Sequence, residues 1–237
     1  MIKPIYYMQN DQRWASHDYS AKGEKRTIAS SGCGPACMAM IVASLKKKDI
    51  KPPDTADWSK KHGYKFKNQG TAYSYFAAAG KKYGISVKQI NGSSVYHKPD
   101  AEAHTIAKRA LIAGDWLIAC MGPGNWTSGG HYVLVFLLDD NKVYINDPAS
   151  KATSRTVSSW NKFKNEVKYY FRVYVPELTV KTKKNPLGMY KEKSLKSKRL
   201  VKIPKGKRVK LIKIGDKTFN AYSYGTKRGY CRKKYLK

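Results

Sequence analysis

The stretch 30-SSGCGPACMAM-40 places a cysteine between two glycines, followed by a proline and an apolar run. Proline is tolerated in the first turn of a helix, where its missing N–H has no partner to lose, so the pattern predicts a helix from Cys33 to about Lys47. Unpaired N–H groups at a helix N-terminus lower the pKa of a nearby thiol, and Gly32 and Gly34 would leave that thiol uncrowded. Cys33 is therefore a candidate nucleophile. A small apolar residue at the start of a buried helix is the alternative.

Cys37 lies one turn further along the same helix, among Met38, Ile41 and Val42, and this position predicts a core residue. A metal site built on Cys33 and Cys37 would need two further ligands, and the sequence has none at suitable spacing. Four cysteines in 237 residues are too few for a disulfide scaffold, so reduced thiols are expected. No metal or other cofactor is implied.

Helical patterns precede strand patterns over the first 178 residues. Helices are predicted at 54–63 (with Asp54 or Thr55 as its cap), 71–84 and 100–114. Strands are predicted at 85–90, 115–121, 131–139, 142–147 and 169–175. Helices followed by antiparallel strands are typical of an α+β domain.

The chain is strongly basic, with 47 Lys and Arg residues against 16 Asp and Glu and a net charge of +31. Such a charge favours polyanionic partners, and nucleic acid, anionic membrane and anionic bacterial wall polymers all qualify. Residues 181–237 carry 21 of the basic and only two of the acidic groups. We therefore predict a domain boundary near residue 178, a linker over 179–186 and a second domain over 187–237.

The second domain is expected to be folded. The stretches VKLIKI (209–214) and NAYSYG (220–225) alternate apolar and polar residues as half-buried strands do, which argues against a disordered basic tail. No stretch of the chain approaches the roughly 20 apolar residues of a membrane span, and 1-MIKPIYYMQNDQRW-14 lacks the apolar core of a signal peptide. We expect a protein that is made in the cytoplasm and has no transmembrane segment.

A cysteine nucleophile needs a base, and the base needs an orienting group. His131 stands at the first position of a strongly apolar strand, directly after a Gly-rich loop, whereas the other four histidines lie in loops or on polar helix faces. Strand edges next to a mobile loop are where accessible catalytic groups are found. His131 is therefore the candidate base, and a histidine that merely begins a strand is the alternative.

The orienting group is expected on the next strand, because a hairpin that turns around Asp139 to Asn141 brings the chain back toward His131. A turn centred at Asp139 would set position 147 opposite position 131. Since side chains alternate between the two faces of a strand, Asp147 could hold the imidazole. Asn146 is the competing candidate, because an amide can orient a histidine as well. We favour Asp147.

The run YYMQNDQRW…SSGCGPACMAM…GGHYVLVFLLDDNKVYINDPA resembles the papain-like peptidases allied to the bacteriocin-processing, double-glycine leader peptidases, over most of residues 1–178. The resemblance implies a papain-like fold with Cys33 as nucleophile, His131 as base and Asp147 as the orienting acid. It also implies that Gln9 donates a hydrogen bond to the oxyanion, alongside the backbone N–H of Cys33.

The segment LGMYKEKSLKSKRLVKIPKGKRVKLIKI…FNAYSYGTKRGYCRKKYL resembles a bacterial SH3-type cell-wall-binding module, which implies a small all-β barrel. The segment is more basic than usual, and Ala221 stands where such modules commonly have a tryptophan before the tyrosine. Tyr222, Tyr224 and Tyr230 are candidates for lining a ligand groove. Packing of these tyrosines inside the barrel is the alternative.

A papain-like peptidase joined to a wall-binding module is the layout of a peptidoglycan hydrolase, so the two resemblances together imply an endolysin-like, bacteriolytic enzyme. Its expected partners are peptidoglycan and teichoic acid, which account for the positive charge without specific nucleic-acid binding. We expect a monomer that reaches the wall through holin-mediated lysis, or on a phage virion or secretion apparatus. Two alternatives remain: a leader-peptide processing protease, and an inactive peptidase fold that binds nucleic acid or wall.

Overall fold

The computed structural model describes residues 4–46, 48–92, 94, 96–213 and 216–236, and the chain divides into two compact units. The first unit comprises residues 4–111 and 116–174, and the second comprises residues 112–115 together with the chain from Val175 onward. Lys47 and Ile214, at the ends of a predicted helix and a predicted strand, lie outside the described residues.

Helices and strands are interspersed up to β8 (Val167–Val173), and the elements after it are strands and one 3-10 turn. The helices are α1 (Ile28–Ser31), α2 (Cys33–Lys46), α3 (Pro52–Lys61), α4 (Tyr75–Tyr83), α5 (Ala101–Ile112), α6 (Thr153–Thr156) and α7 (Trp160–Asn165), with a 3-10 turn at Lys233–Tyr235. The strands are β1 (Lys65–Phe66), β2 (Gly70–Thr71), β3 (Val87–Gln89), β4 (Trp116–Met121), β5 (His131–Asp139), β6 (Lys142–Asn146), β7 (Val157–Ser159), β8 (Val167–Val173), β9 (Glu177–Thr179), β10 (Leu187–Tyr190), β11 (Arg199–Ile203), β12 (Arg208–Lys213), β13 (Phe219–Tyr224) and β14 (Lys227–Arg232).

A six-stranded antiparallel sheet forms the centre of the first unit, in the order β3-β8-β4-β5-β6-β7. Side chains of β8 alternate between its two faces: Tyr170 packs in a core that includes Ala103 of α5, and Phe171 contacts Phe76 of α4 at 5.2 Å between ring centroids. Helices therefore cover both faces of the sheet. The predicted α+β class with an antiparallel sheet is confirmed for this unit.

Two predicted helices begin at other residues than expected, and each difference has a local cause. α3 begins at Pro52, because the Asp54 carboxylate accepts a hydrogen bond from the backbone N–H of Lys51 at 2.7 Å and so acts inside the first turn. α4 begins at Tyr75, because Thr71 belongs to the hairpin β1–β2 and a turn separates the hairpin from the helix. It ends as predicted at Gly84, whose φ of 67° lies in the left-handed region.

The hairpin between β5 and β6 sets the position of Asp147. Residues 140 and 141 form its turn with φ angles of 44° and 58°, as a two-residue hairpin turn requires. Leu134 pairs with Asn146. If this register continues, the position directly opposite His131 lies two residues after Asp147. The pairing differs from the predicted one because the hairpin turn lies further along the chain than predicted and β5 contains a bulge. Asp147 is therefore a diagonal neighbour of His131.

The second unit contains another antiparallel sheet, in the order β11-β10-β14-β13-β12-β9. Its core is built from Val180, Leu187, Met189, Ile203, Val209, Tyr222 and Cys231. The pairings leave β11 and β9 as edge strands, so a closed barrel is not found among the residues that the structure describes. β9 pairs with β12, and the second sheet therefore begins before the boundary expected near residue 178.

None of the helices in the described part of the chain has the length and apolar character needed to cross a bilayer.

Candidate active site

Close packing around the start of α2 explains the two glycines that flank Cys33. A Cβ atom on Gly32 would lie 2.6 Å from the carbonyl oxygen of Ile28, and one on Gly34 would lie 2.8 Å from the side chain of Thr71. Both distances are shorter than real Cβ contacts. The glycines therefore let α1, α2 and β2 approach one another closely, a different reason from the uncrowded thiol that the sequence suggested.

The structure brings Cys33, His131 and Asp147 together. His131 begins β5, and its Nε2 lies 2.6 Å from Asp147 Oδ1. Its side chain also interacts with the thiol of Cys33, the first residue of α2, and both residues line one cleft. Since Nε2 is engaged by the carboxylate, Nδ1 is the ring nitrogen available to the sulfur. The candidate nucleophile, base and orienting acid thus lie together.

The surroundings of Cys33 favour its thiolate form. Burial alone would raise the pKa of the thiol, but the hydrogen bond and charge of His131 and the backbone N–H groups of Tyr132 and Gly34 outweigh it, and the pKa of Cys33 is lowered. In the same way, burial would lower the pKa of His131, but hydrogen bonds to Asp147 and Cys33 raise it to about 9. The two shifts together favour a thiolate beside an imidazolium.

The other three cysteines have the opposite electrostatics. Burial raises the pKa of Cys37 well above its ordinary value, that of Cys120 to about 11 and that of Cys231 to about 12. All four cysteines are free thiols. Cys33 is the one that combines a lowered pKa with a side chain that is not fully buried, and both are properties of a reactive cysteine.

Asp147, and not Asn146, contacts His131 in this geometry, and it is fully buried. Its Oδ2 accepts a hydrogen bond from Arg155 Nε at 2.5 Å, and its Oδ1 accepts one from the backbone N–H of Ala149 at 2.8 Å. Burial would raise the pKa of Asp147, but the interactions with His131, Ala149 and Arg155 lower it, so the group remains a carboxylate. The amide of Asn146 contacts other groups, with Nδ2 3.4 Å from the carbonyl oxygen of Ile5.

Arg155 and Tyr6 belong to the site although the sequence did not point to them. Arg155 also donates to the carbonyl oxygen of Trp126 at 2.7 Å, and the Tyr6 hydroxyl lies 2.8 Å from the carbonyl oxygen of Asp147. Arg155 stands in a polar segment, and Tyr6 lies 141 positions before Asp147. Neither position has a periodicity or spacing that would single it out.

Gln9 lines the cleft that also contains Cys33, the candidate nucleophile. Its Nε2 donates a hydrogen bond to the carbonyl oxygen of Ala29 at 2.6 Å, and its backbone N–H donates to Pro148 at 2.8 Å. One N–H of the amide is held by Ala29, so the orientation of the group is set and its second N–H is the one left for an oxyanion. Oε1 is buried without a hydrogen-bond partner.

A cleft of about 730 Å³ opens beside Cys33 and His131. Three aromatic side chains that line it are unusually exposed: Phe66 at 49%, Tyr73 at 41% and Tyr96 at 84%. The lining also contains the basic residues Arg26, Lys65 and Lys168, and among the described residues that line it there is no carboxylate. The cleft is therefore suited to a substrate that has both anionic groups and apolar or ring surfaces.

The tyrosines proposed for a ligand groove in the second unit have different environments. Tyr222 is 1% exposed and belongs to the core of the sheet, so it has the packing role that the sequence left open as the alternative. Tyr224 and Tyr230 are half-buried, and Tyr224 packs against the same core. A cavity of about 790 Å³ in this unit is lined instead by Tyr190 and Tyr235.

Metal-ligating side chains do not cluster in the described part of the chain, where no group of three or more His, Cys, Asp or Glu is arranged to hold an ion. A second histidine–carboxylate contact, His17 Nε2 to Asp57 Oδ1 at 2.7 Å, lies at the surface.

The sequence profile of the Peptidase_C39 like family matches residues 2–175. Solved structures similar to this chain include the peptidase domain of ComA, a bifunctional ABC transporter of Streptococcus (21% identity, 61% of this chain and 91% of that chain, TM-score 0.45). A C39-like peptidase from Bacillus anthracis is 14% identical, over 73% of this chain and 96% of that chain, with a TM-score of 0.46. A double-glycine motif protease from an AMS/PCAT transporter, solved with its leader peptide, is 18% identical over 61% and 84%, with a TM-score of 0.41. No curated protein matches the chain significantly.

Proposed function

This chain is a cysteine peptidase that belongs to the Peptidase_C39 like family, and we propose that it hydrolyses amide bonds in the peptides of bacterial peptidoglycan, in the manner of an endolysin. The observation that carries the proposal is the charge of the second unit. Residues 181–237 contain 21 Lys and Arg residues against two acidic ones. A unit of this charge, joined to a hydrolase, is suited to hold the enzyme on a wall rich in phosphate polymers, as an SH3-type wall-binding module would.

The reaction that we propose begins with the thiolate of Cys33. The sulfur attacks the carbonyl carbon of the scissile amide, and the electron pair of the C=O bond moves to oxygen. The second N–H of Gln9 and the backbone N–H of Cys33 donate hydrogen bonds to this oxyanion. His131 then gives its proton to the amide nitrogen as the C–N bond breaks, which leaves an acyl group on Cys33 as a thioester.

Hydrolysis of the thioester completes the cycle. His131, now neutral, takes a proton from a water molecule, whose oxygen attacks the acyl carbon. The C–S bond breaks, the acid product leaves, and the thiolate–imidazolium pair is restored. Asp147 holds the ring and stabilises the imidazolium in both halves of the cycle.

The lining of the cleft supports a wall peptide as substrate. Stem peptides carry carboxylates and are attached to sugar rings. Arg26 and Lys168 offer positive charge, and Phe66, Tyr73 and Tyr96 offer exposed aromatic faces on which a sugar ring or an apolar side chain can pack.

The full-length protein added to purified Gram-positive cell walls tests the proposal. We expect loss of turbidity and the release of new amino groups, and we expect neither with Cys33→Ala. Mass spectrometry of the released fragments identifies the bond that is cut. Cleavage of a Gly-Gly leader peptide without attack on walls would make the protein a leader-processing peptidase instead. Sedimentation with walls but no cleavage of any peptide would contradict the proposed hydrolysis.

A further inference from the structure

We propose that the 790 Å³ cavity of the second unit binds a phosphodiester group of an anionic wall polymer, which rests on the proposed function as a wall hydrolase. Five basic residues line this cavity and no acidic residue is among the described residues that do so. The basic residues are Lys181, Lys183, Lys184, Arg232 and Lys234. Such a concentration of positive charge around one concave surface favours an anion over a neutral peptide.

One residue that lines the cavity has a buried hydroxyl group with an unused hydrogen bond. Thr182 lines the cavity, is only 7% exposed, and its Oγ1 has no hydrogen-bond partner. Buried polar atoms are nearly always hydrogen-bonded, and leaving one unsatisfied costs free energy. A phosphate oxygen would accept the hydrogen bond that the Thr182 hydroxyl has to donate.

Tyr235 helps to hold two of the cations at the cavity. Lys234 Nζ and the guanidinium carbon of Arg232 lie 5.0 Å and 5.8 Å from the ring centre of Tyr235, within the range of cation–π attraction. The ring of Tyr190 packs close to Gly188, where a Cβ atom would lie 2.7 Å from it. The side of the cavity that carries these cations is thus already formed, which limits the entropy lost when an anion binds.

The lining of the cavity favours a phosphodiester such as glycerol phosphate over nucleic acid. Single-stranded nucleic acid is bound on exposed aromatic faces on which bases stack. Tyr190 and Tyr235 are half-buried, and their rings already contact Gly188 and Lys234, respectively. The exposed apolar side chain at the cavity is that of Leu195, which has no aromatic ring. The polyanion that fits is therefore one whose repeating unit is a phosphate with a short carbon chain.

Fluorescence anisotropy of a labelled glycerol phosphate hexamer with the full chain tests the site. We expect Thr182→Val to weaken binding about tenfold, because a hydrogen bond to a charged group is lost. The exposed Thr226, outside the cavity, gives the matched control Thr226→Val, which should bind like the wild type. Because the Thr182 hydroxyl has no partner in the folded protein, Thr182→Val should unfold at the same or a higher temperature, whereas loss of a structural hydrogen bond would lower it.

A second pair of variants tests the charge and does not depend on Thr182. Lys183→Gln with Lys184→Gln should weaken binding of the hexamer more than Lys198→Gln with Lys205→Gln, although both remove two exposed positive charges. Three results would overturn the site. They are an equal loss of hexamer affinity in the two double variants, a wild-type affinity of Thr182→Val for the hexamer, and competition by a thymidylate hexamer that equals that of the unlabelled glycerol phosphate hexamer. Hydrolysis of soluble wall fragments is measured in parallel and should be unchanged by these substitutions. Hexamer binding with no hydrolysis of wall peptides would refute the proposed function and leave the site standing.

Discussion

The chemistry of Cys33 depends on its neighbours at least as much as on its place in the helix. Burial opposes the thiolate, and the first turn of α2 supplies one N–H, that of Gly34, which favours it. The hydrogen bond and charge of His131 decide the balance. Since Asp147 helps to raise the pKa of His131, this carboxylate also influences the sulfur, through the imidazole.

The choice between Asp147 and Asn146 is tested by removing each. Asp147→Ala should lower kcat by about two to four orders of magnitude, because the imidazole loses the group that sets its tautomer and stabilises its charge. Asn146→Ala is the matched control on the adjacent residue, and it should keep most of the wild-type kcat, since its amide contacts the carbonyl oxygen of Ile5. The reverse ranking would contradict the assignment.

Gln9 is expected to act in the transition state. Gln9→Ala should lower kcat about 10²–10³-fold with little change in KM, because the oxyanion exists only after attack. Gln69→Ala, in the same cleft but outside the proposed oxyanion site, is the control. An effect of Gln9→Ala on KM alone would show that the amide binds substrate and not the oxyanion.

The pH dependence follows from the paired pKa shifts. Activity should be present where Cys33, whose pKa is lowered, has lost its proton and His131, whose pKa is about 9, still carries one. A plot of kcat/KM against pH should therefore be bell-shaped and fall on the alkaline side near pH 9. Asp147→Asn removes the negative charge that favours the imidazolium, so the alkaline fall should move to lower pH. An unmoved alkaline limb would mean that another group titrates there.

At the scale of elements, the hairpin β1–β2 carries part of the cleft. Phe66 of this hairpin lines the cleft. The carboxylate of Glu24 fixes the hairpin in place. Glu24 forms an ion pair with Lys65 and accepts a hydrogen bond from the backbone N–H of Asn68 at 2.7 Å. The segment before α1 is thereby tied to a turn more than forty positions later.

Loosening this hairpin should impair substrate binding more than chemistry. Glu24→Ala leaves the ammonium group of Lys65, whose side chain is 2% exposed, without its carboxylate. We expect a lower unfolding temperature and a KM that rises more than kcat falls. Glu102→Ala, on the exposed start of α5, removes the same charge as a control and should change neither. A fall in kcat at unchanged KM would place the effect at the catalytic groups.

At the scale of the whole molecule, the charge is concentrated in the C-terminal quarter of the chain. Residues 1–180 contain 26 Lys and Arg residues and 14 Asp and Glu, whereas residues 181–237 contain 21 and two. The proposed peptidase and the proposed wall-binding unit therefore differ strongly in charge density. Tethering the catalytic cleft to a surface in this way raises its effective concentration there.

Raising the salt concentration should separate electrostatic binding to the wall from hydrolysis in the cleft. Exposed charges are screened over about 10 Å at 0.1 M salt, so binding of the full chain to walls should weaken steeply as salt is raised, and lysis should weaken with it. Hydrolysis of a soluble wall fragment, which needs no tethering, should change much less. Walls stripped of teichoic acid should bind poorly even at low salt. Binding that persists at high salt and on stripped walls would show that charge is not the main attraction.

Local patterns in the sequence were enough for three elements that carry the site and for three candidate residues at or next to their ends. Proline and glycine signals, apolar alternation and turn residues act over a few positions, and they placed α2, β5 and β6 within one or two residues. Cys33, His131 and Asp147 stand at the ends of these elements, which is why each could be named in advance as a candidate.

What only the tertiary structure decided involves groups distant along the chain. Four features depend on how sheets and loops pack. They are the contact of Arg155 with Asp147, the hydrogen bond from Gln9 to Ala29, the burial of Tyr222 and the unpaired hydroxyl of Thr182. Side-chain chemistry does not encode these partners locally, because each is set by the register of strands and the closeness of segments far apart in sequence. The sequence by itself determined which groups are present, and packing decided which of them meet.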